Sequence, residues 1–145
     1  QEAYILATRN SLERRPDARI EGCTLQRQIP PGQEVILGMT RDPQFGPLMM
    51  FGSGGVEVEG LKDVAFALAP LTPAEAQALI EKTWAGRKLD GFRAIPPADK
   101  AAVIDALVRL SHLALEHEEI EEIEINPLRV LAHGAVAVDL RMRVR

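Results

Sequence analysis

Cysteine, a surplus of positive charge and any long apolar run are what this 145-residue sequence lacks. The lone Cys23 allows no internal disulfide and no cysteine cage for a metal, so a reducing, cytoplasmic setting is expected. Seventeen Lys and Arg against twenty-one Asp and Glu leave a net charge of -4, which argues against a general nucleic-acid binder. No apolar run approaches the roughly 18 residues of a membrane span, and no signal peptide is read at the N-terminus. With 46% hydrophobic and 26% charged residues, disorder, collagen and coiled coil are excluded as well. One globular domain remains, long enough to bury about two thirds of its unfolded surface. The sequence starts at Gln1, without Met, inside a helical pattern. It therefore reads as a fragment, a single lobe over 1–145 of a longer multidomain protein.

The punctuation of the chain predicts its elements. Residues 1–15 read as a helix stopped by Pro16, with Tyr4, Ile5 and Leu12 as core contacts. Residues 19–29 alternate and end at Pro30-Pro31-Gly32, a strand and a turn. Glu34–Thr40 and a segment beginning at Leu48–Phe51 are strands with a link too short for a crossover, hence an antiparallel meander. Val56–Gly60 alternates again, and Val64–Leu68 reads as a buried strand. Thr72-Pro73-Ala74-Glu75 is a capping box opening a helix to about Lys82. Residues 84–98 read as a connection. A second helix, from about Asp99 to Glu116, aligns Val103, Leu107, Leu110 and Ala114 on one stripe. Ile120–Leu131 and Ala135–Val144 form a closing hairpin around His133-Gly134. The expected fold class is α+β, an antiparallel sheet with two packed helices.

That hairpin holds the informative chemistry. Along Glu122–Asn126 the isoleucines take one face and Glu124 and Asn126 the other. A turn centred on His133-Gly134 sets residue 128 opposite 139 and 126 opposite 141. Asn126 and Asp139 then become diagonal neighbours about 7–8 Å apart, with small Ala135 and Ala137 leaving room beside them. A carboxylate and an amide oxygen at that spacing suit Mg²⁺, which keeps positions for water and phosphate. The competing reading makes Asn126-Pro127 a turn dipeptide and pairs Asp139 with Arg141 or Arg129.

From Ile20 to Leu140 the chain resembles the second half of the ATP-grasp module of ADP-forming acyl-CoA synthetases, relatives of succinyl-CoA synthetase beta subunits. The stretches that carry the resemblance include IEGCTLQ, EVILGMTRDPQFGPLMMFGSGG, KDVAFALAPLTPAEA and EIEINPLRVLAHGAVAVD. It implies that Asn126 and Asp139 bind Mg²⁺ together with ATP or ADP phosphates, with Glu124 as a third or supporting ligand. It implies further that Leu25, Gln26, Arg27 and Gln28 lie on a hinge strand along the adenine. Relatives commonly carry an acidic residue where this chain has Arg27, so a carboxylate contact to the ribose is not expected here. The Trp84–Leu89 and Phe92–Ala94 stretches also depart from the family pattern. An upstream ATP-grasp lobe and CoA-binding and phosphohistidine domains are the implied partners, in the same chain or another subunit. The implied activity is acyl-CoA + ADP + phosphate ⇌ acid + CoA + ATP. The alternative is a regulatory or ligand-sensing module fused to a GNAT-type acetyltransferase.

Other residues carry two readings each. Gly54 and Gly55, in Gly52-Ser53-Gly54-Gly55, present backbone N–H groups to phosphate or form a tight connection. Arg41 reaches phosphate or is solvated, and Glu34 supports the nucleotide pocket or is a surface charge. His112, His117 and His133 receive no catalytic role, and Cys23 reads as a small buried hydrophobe.

Overall fold

A computed structural model of the chain describes residues 1–55 and 62–145. After an N-terminal helix α1 (Glu2–Arg14), β1 (Gln33–Asp42), β2 (Gly46–Ser53) and β3 (Val64–Leu68) pair in succession as the expected antiparallel meander. The β1–β2 turn is closed by Asp42 Oδ1, which accepts the N–H groups of Gln44 and Phe45 at 2.8 and 2.9 Å. The helices α2 (Pro73–Glu81), α3 (Trp84–Lys88) and α4 (Lys100–Glu116) follow. The chain then closes with β4 (Ile120–Val130), β5 (Ala135–Ala137) and β6 (Leu140–Val144). Among the described residues the six strands form one sheet in the order β3-β2-β1-β4-β5, with β6 also pairing β4.

Alternation sorts the sheet into two faces. Val35, Leu37 and Met39 of β1, Met49 and Phe51 of β2, and Ile123, Leu128 and Val130 of β4 form one buried layer. Helices α2 and α4 cover it, and the predicted stripe of Val103, Leu107, Leu110 and Ala114 is buried there. The capping box on α2 is complete: Thr72 Oγ1 accepts from the Glu75 N–H at 3.3 Å, and Glu75 Oε2 accepts from the Thr72 N–H at 2.8 Å. The architecture is α+β, as the pattern predicts.

Five local expectations are corrected. Residues 19–29 form no strand, because alternation makes a strand only where a neighbouring edge supplies ladder partners and none does here. Helix α1 forms but buries none of its residues; Tyr4, Ile5 and Leu12 stay 52, 57 and 40% exposed. At the sheet edge, β3 packs only Ala65 and Ala67 on the core and leaves Val64, Phe66 and Leu68 on the helix-free face. The connection after α2 contains α3, whose N-terminus is capped by Thr83 Oγ1 accepting from the Gly86 N–H at 3.0 Å. Cys23 is exposed rather than buried, and Val56–Gly60 lies outside the described residues.

Candidate metal and phosphate site

The site is built on an extra residue in β4. Its pairing to β1 runs Val35↔Leu128 and then Leu37↔Ile125, so three steps on β4 face two on β1. This β-bulge at Asn126-Pro127 keeps both Ile125 and Leu128 toward the helices and aims Asn126, with Glu124, at the open face. The signal was present in the sequence: the apolar positions 123 and 125 shift phase to 128 and 130.

The returning strand breaks at the same level, between β5 and β6. The pairs Leu128↔Ala137 and Ile125↔Leu140 share one register, which sets Asn126 directly opposite Asp139. The Asn126 N–H donates to the Asp139 carbonyl at 3.2 Å. The expected register is therefore off by two residues: Glu124, not Asn126, faces Arg141. The cause lies in the turn. Leu131 N–H donates to the Gly134 carbonyl at 3.0 Å around Ala132-His133, while Asp99 Oδ2 holds the Gly134 N–H at 2.7 Å. Gly134, at φ +79°, thus forms the exit of the turn and not its centre. Directly opposed residues have Cβ atoms about 4.5–5.5 Å apart, closer than a diagonal pair. The same shift puts Ala135 against the core, so it leaves no room beside Asp139.

Asn126 is half-buried and held at both ends of its amide. Oδ1 accepts the Gly55 N–H at 3.1 Å, and Nδ2 donates to Glu124 Oε1 at 3.3 Å. Asp139 is exposed, and its carboxylate has no hydrogen-bond or ion-pair partner among the described residues. Arg129 pairs with Glu34 instead. These hard oxygen donors fit Mg²⁺. Among the described residues no three His, Cys, Asp or Glu side chains converge to hold a metal alone. A cation on Glu124, Asn126 and Asp139 would therefore complete its shell with water and phosphate oxygens.

Gly52-Ser53-Gly54-Gly55 is first of all a tight connection. Gly52 and Ser53 end β2, and a Cβ on Gly54 would fall 2.5 Å from the Val35 carbonyl carbon. Asp63 ties the far end of this segment back. It accepts from Ser53 Oγ and from the N–H groups of Trp84 and Ala85, all at 2.8 Å. Sequence reading missed Asp63, since its partners are a strand end and a helix start that only the fold brings near. Arg41 serves structure: its guanidinium donates to the carbonyls of Ala114, His117 and Ile120 at 2.7–3.1 Å, tying the end of α4 to the start of β4. Leu25, Gln26, Arg27 and Gln28 are exposed, Leu25 by 98%, and no described hydrogen bond joins them to Asn126 or Gly55.

Burial raises the Asp63 pKa, but the two backbone donors, the Ser53 hydroxyl and the Lys88 charge outweigh it and hold the carboxyl below its usual range. The Gly134 and Ala102 N–H groups hold Asp99 low in the same way. A carboxyl lowered by folding adds stability that is complete above its unfolded value, about 3.9, and lost as the pH falls through its folded value. Urea unfolding followed from about pH 5 to pH 2 should therefore show a steeper loss for the parent than for an Asp63→Asn, Asp99→Asn variant. Parallel curves would refute the assignment.

Comparison with known proteins then decides the family: the ATP-grasp domain matches residues 1–144. The chain belongs to the ATP-grasp family. The acetate–CoA ligase [ADP-forming] I of Archaeoglobus fulgidus is 46% identical to this ATP-grasp chain over 142 residues, 98% of the chain but 21% of that protein. The beta subunit of the Pyrococcus furiosus acetate–CoA ligase [ADP-forming] I is 45% identical, with 98% of the chain and 61% of the subunit covered. The dinucleotide forming acetyl-coenzyme A synthetase 1 of Ca. Korarchaeum cryptofilum, in complex with coenzyme A and Ca-AMPCP, superposes with a TM-score of 0.81 at 43% identity. That match covers 99% of this chain and 63% of that one. A second structure of the same synthetase holds Mg-AMPPCP, with a TM-score of 0.77 at 45% identity over 81% of this chain and 55% of that one. The chain thus spans between about a fifth and two thirds of these relatives. They are acid–CoA ligases and synthetases, and the acetyltransferase-fused alternative finds no support in them. No helix among the described residues is long and apolar enough to cross a membrane.

Proposed function

We propose that this chain is the metal- and nucleotide-binding lobe of an ADP-forming acid–CoA ligase, one lobe of a larger cytoplasmic protein. The observation that carries this reading is the opposition of Asn126 and Asp139 across the bulged hairpin, beside the Gly55 N–H on the helix-free face. The relatives' names and bound nucleotides support it. The overall reaction would be acyl-CoA + ADP + phosphate ⇌ acid + CoA + ATP, with a phosphohistidine and the CoA site on other domains. This lobe's share is phosphoryl transfer between that phosphohistidine and ADP.

Asn126 and Asp139 would hold Mg²⁺, with Glu124 completing or supporting the set. When bound, the ion neutralises and aligns the phosphates, which is most of what phosphoryl transfer requires. The chain's own residues do the rest. Gly54 and Gly55, whose N–H groups are given to the Glu34 carbonyl and to Asn126 Oδ1, line the phosphate side with no side chain in the way, while Leu25, Gln26, Arg27 and Gln28 line the base once the upstream lobe stands against them. The exposed Leu25 suits such a covered position. Beside Glu124, a shallow groove lined by Gly38, Thr40, Met50, Phe66 and Glu122 extends the open face away from the hairpin. Its apolar floor fits a surface that a second lobe closes.

Calorimetry of ADP and ATP binding to the lobe joined to its natural upstream half tests the reading. Binding should require Mg²⁺ and vanish in an Asn126→Ala, Asp139→Ala variant that still folds. Binding unaffected by either change would overturn it.

A further inference from the structure

The Asn126 carboxamide is aimed by a relay that starts on the neighbouring strand. On β1, the Glu34 carboxylate divides its two oxygens. Oε1 pairs with Arg129 Nη2, and Oε2 occupies the space that a Cβ on Gly55 would need. The pair is half-buried, with 26% of the Arg129 side chain and 33% of Glu34 exposed. The backbone of the same residue holds the preceding glycine, since the Gly54 N–H donates to the Glu34 carbonyl at 3.2 Å. Gly54 also lies so close on Val35 that no side chain fits. Gly55, at φ +63°, is therefore clamped from two sides, and its N–H is delivered to Asn126 Oδ1 at 3.1 Å. Since the NH2 of a carboxamide donates and does not accept, this contact decides which end of the amide faces Gly55, and the Glu124 carboxylate takes the other.

From this geometry we propose that Glu34 is a positioning residue for the cation site. Acting through Arg129 and Gly55, it fixes the Asn126 carboxamide with its oxygen in the orientation that a hard cation needs. The proposal rests on the reading of Asn126 and Asp139 as cation ligands. Glu34 reaches the ion through Gly55 and Asn126 and is itself no ligand. Partners that orient a ligand from outside the first sphere commonly carry about 10- to 100-fold in metal affinity. Loss of the Glu34 carboxylate also frees the Arg129 side chain, whose buried Nε has no hydrogen-bond partner among the described residues.

The test is Mn²⁺ binding in the presence of ADP, read by electron paramagnetic resonance on the full-length protein. ADP binding without metal is measured alongside. Glu34→Ala is expected to weaken Mn²⁺ about tenfold and to leave metal-free ADP binding within about twofold, with Glu34→Gln, which retains the shape, restoring most of the loss. Gly55→Ala, whose added Cβ would collide with the Glu34 carboxylate and displace the N–H while removing no charge, should weaken Mn²⁺ similarly and serves if Glu34→Ala fails to fold. Asn126→Ala and Asp139→Ala run as the reference. If they abolish Mn²⁺ binding while Glu34→Ala and Gly55→Ala leave it within twofold, the positioning role is refuted and the metal site stands. If they too leave Mn²⁺ binding intact, the metal reading fails and the relay fails with it. A Glu34→Ala protein that loses thermal stability but keeps its Mn²⁺ affinity would show Glu34 to be structural only.

Discussion

Asn126→Ala and Asp139→Ala, each placed in the full-length protein, are expected to lower the turnover of phosphoryl transfer to ADP by about a thousandfold. A cation at the transferring phosphate supplies several kcal/mol of transition-state stabilisation, and each 1.4 kcal/mol is a factor of about ten. The two side chains stand opposite each other across one hairpin and would share one ion. The double variant should therefore be little worse than either single one, because groups that act as a unit do not add. Asn126→Asp, which keeps an oxygen donor, should lose far less than Asn126→Ala. Steady-state kinetics across a Mg²⁺ titration checks all four. Losses that multiply in the double variant would mean that the residues act separately.

Gly54→Ala should cost about 3 kcal/mol of folding stability, near the upper end of overpacking effects. The added Cβ would meet the Val35 carbonyl carbon, oxygen and nitrogen at 2.5, 2.6 and 2.7 Å. Those are backbone atoms of a central strand whose neighbour Leu37 is fully buried, so no flexible side chain can yield. Either the end of β2 lifts from β1 or β1 bends into the core. Gly22→Ala is the control, with nothing within 4 Å of its added Cβ, and should stay within about 0.5 kcal/mol of the parent. Urea denaturation midpoints separate the two. An unchanged Gly54→Ala midpoint would show that this approach can relax.

Much of the architecture was legible because its signals are local. Thr72-Pro73-Ala74-Glu75 carries its own capping chemistry, and the stripe through Val103, Leu107, Leu110 and Ala114 declares a helix face by spacing alone. The β1–β2 turn is written in Asp42 and Gly46. Where a reading needed a partner it failed. Residues 19–29 alternate as a strand does, yet no sheet edge receives them. Tyr4, Ile5 and Leu12 form an apolar stripe on α1 that stays exposed.

The candidate site divides in the same way. Sequence by itself determined that Glu124, Asn126 and Asp139 share one side of a hairpin, because alternation is a property of each strand. Tertiary structure decided how they meet. Asp99, a helix cap far along the chain, holds Gly134 and so sets the turn, the register and the direct opposition of Asn126 and Asp139. The bulge opposite β1 turns Asn126 to the open face, and the Gly55 N–H, beyond the end of β2, holds its amide oxygen. Periodicity is encoded residue by residue, but register is a relation between strands and is settled by contacts distant in sequence.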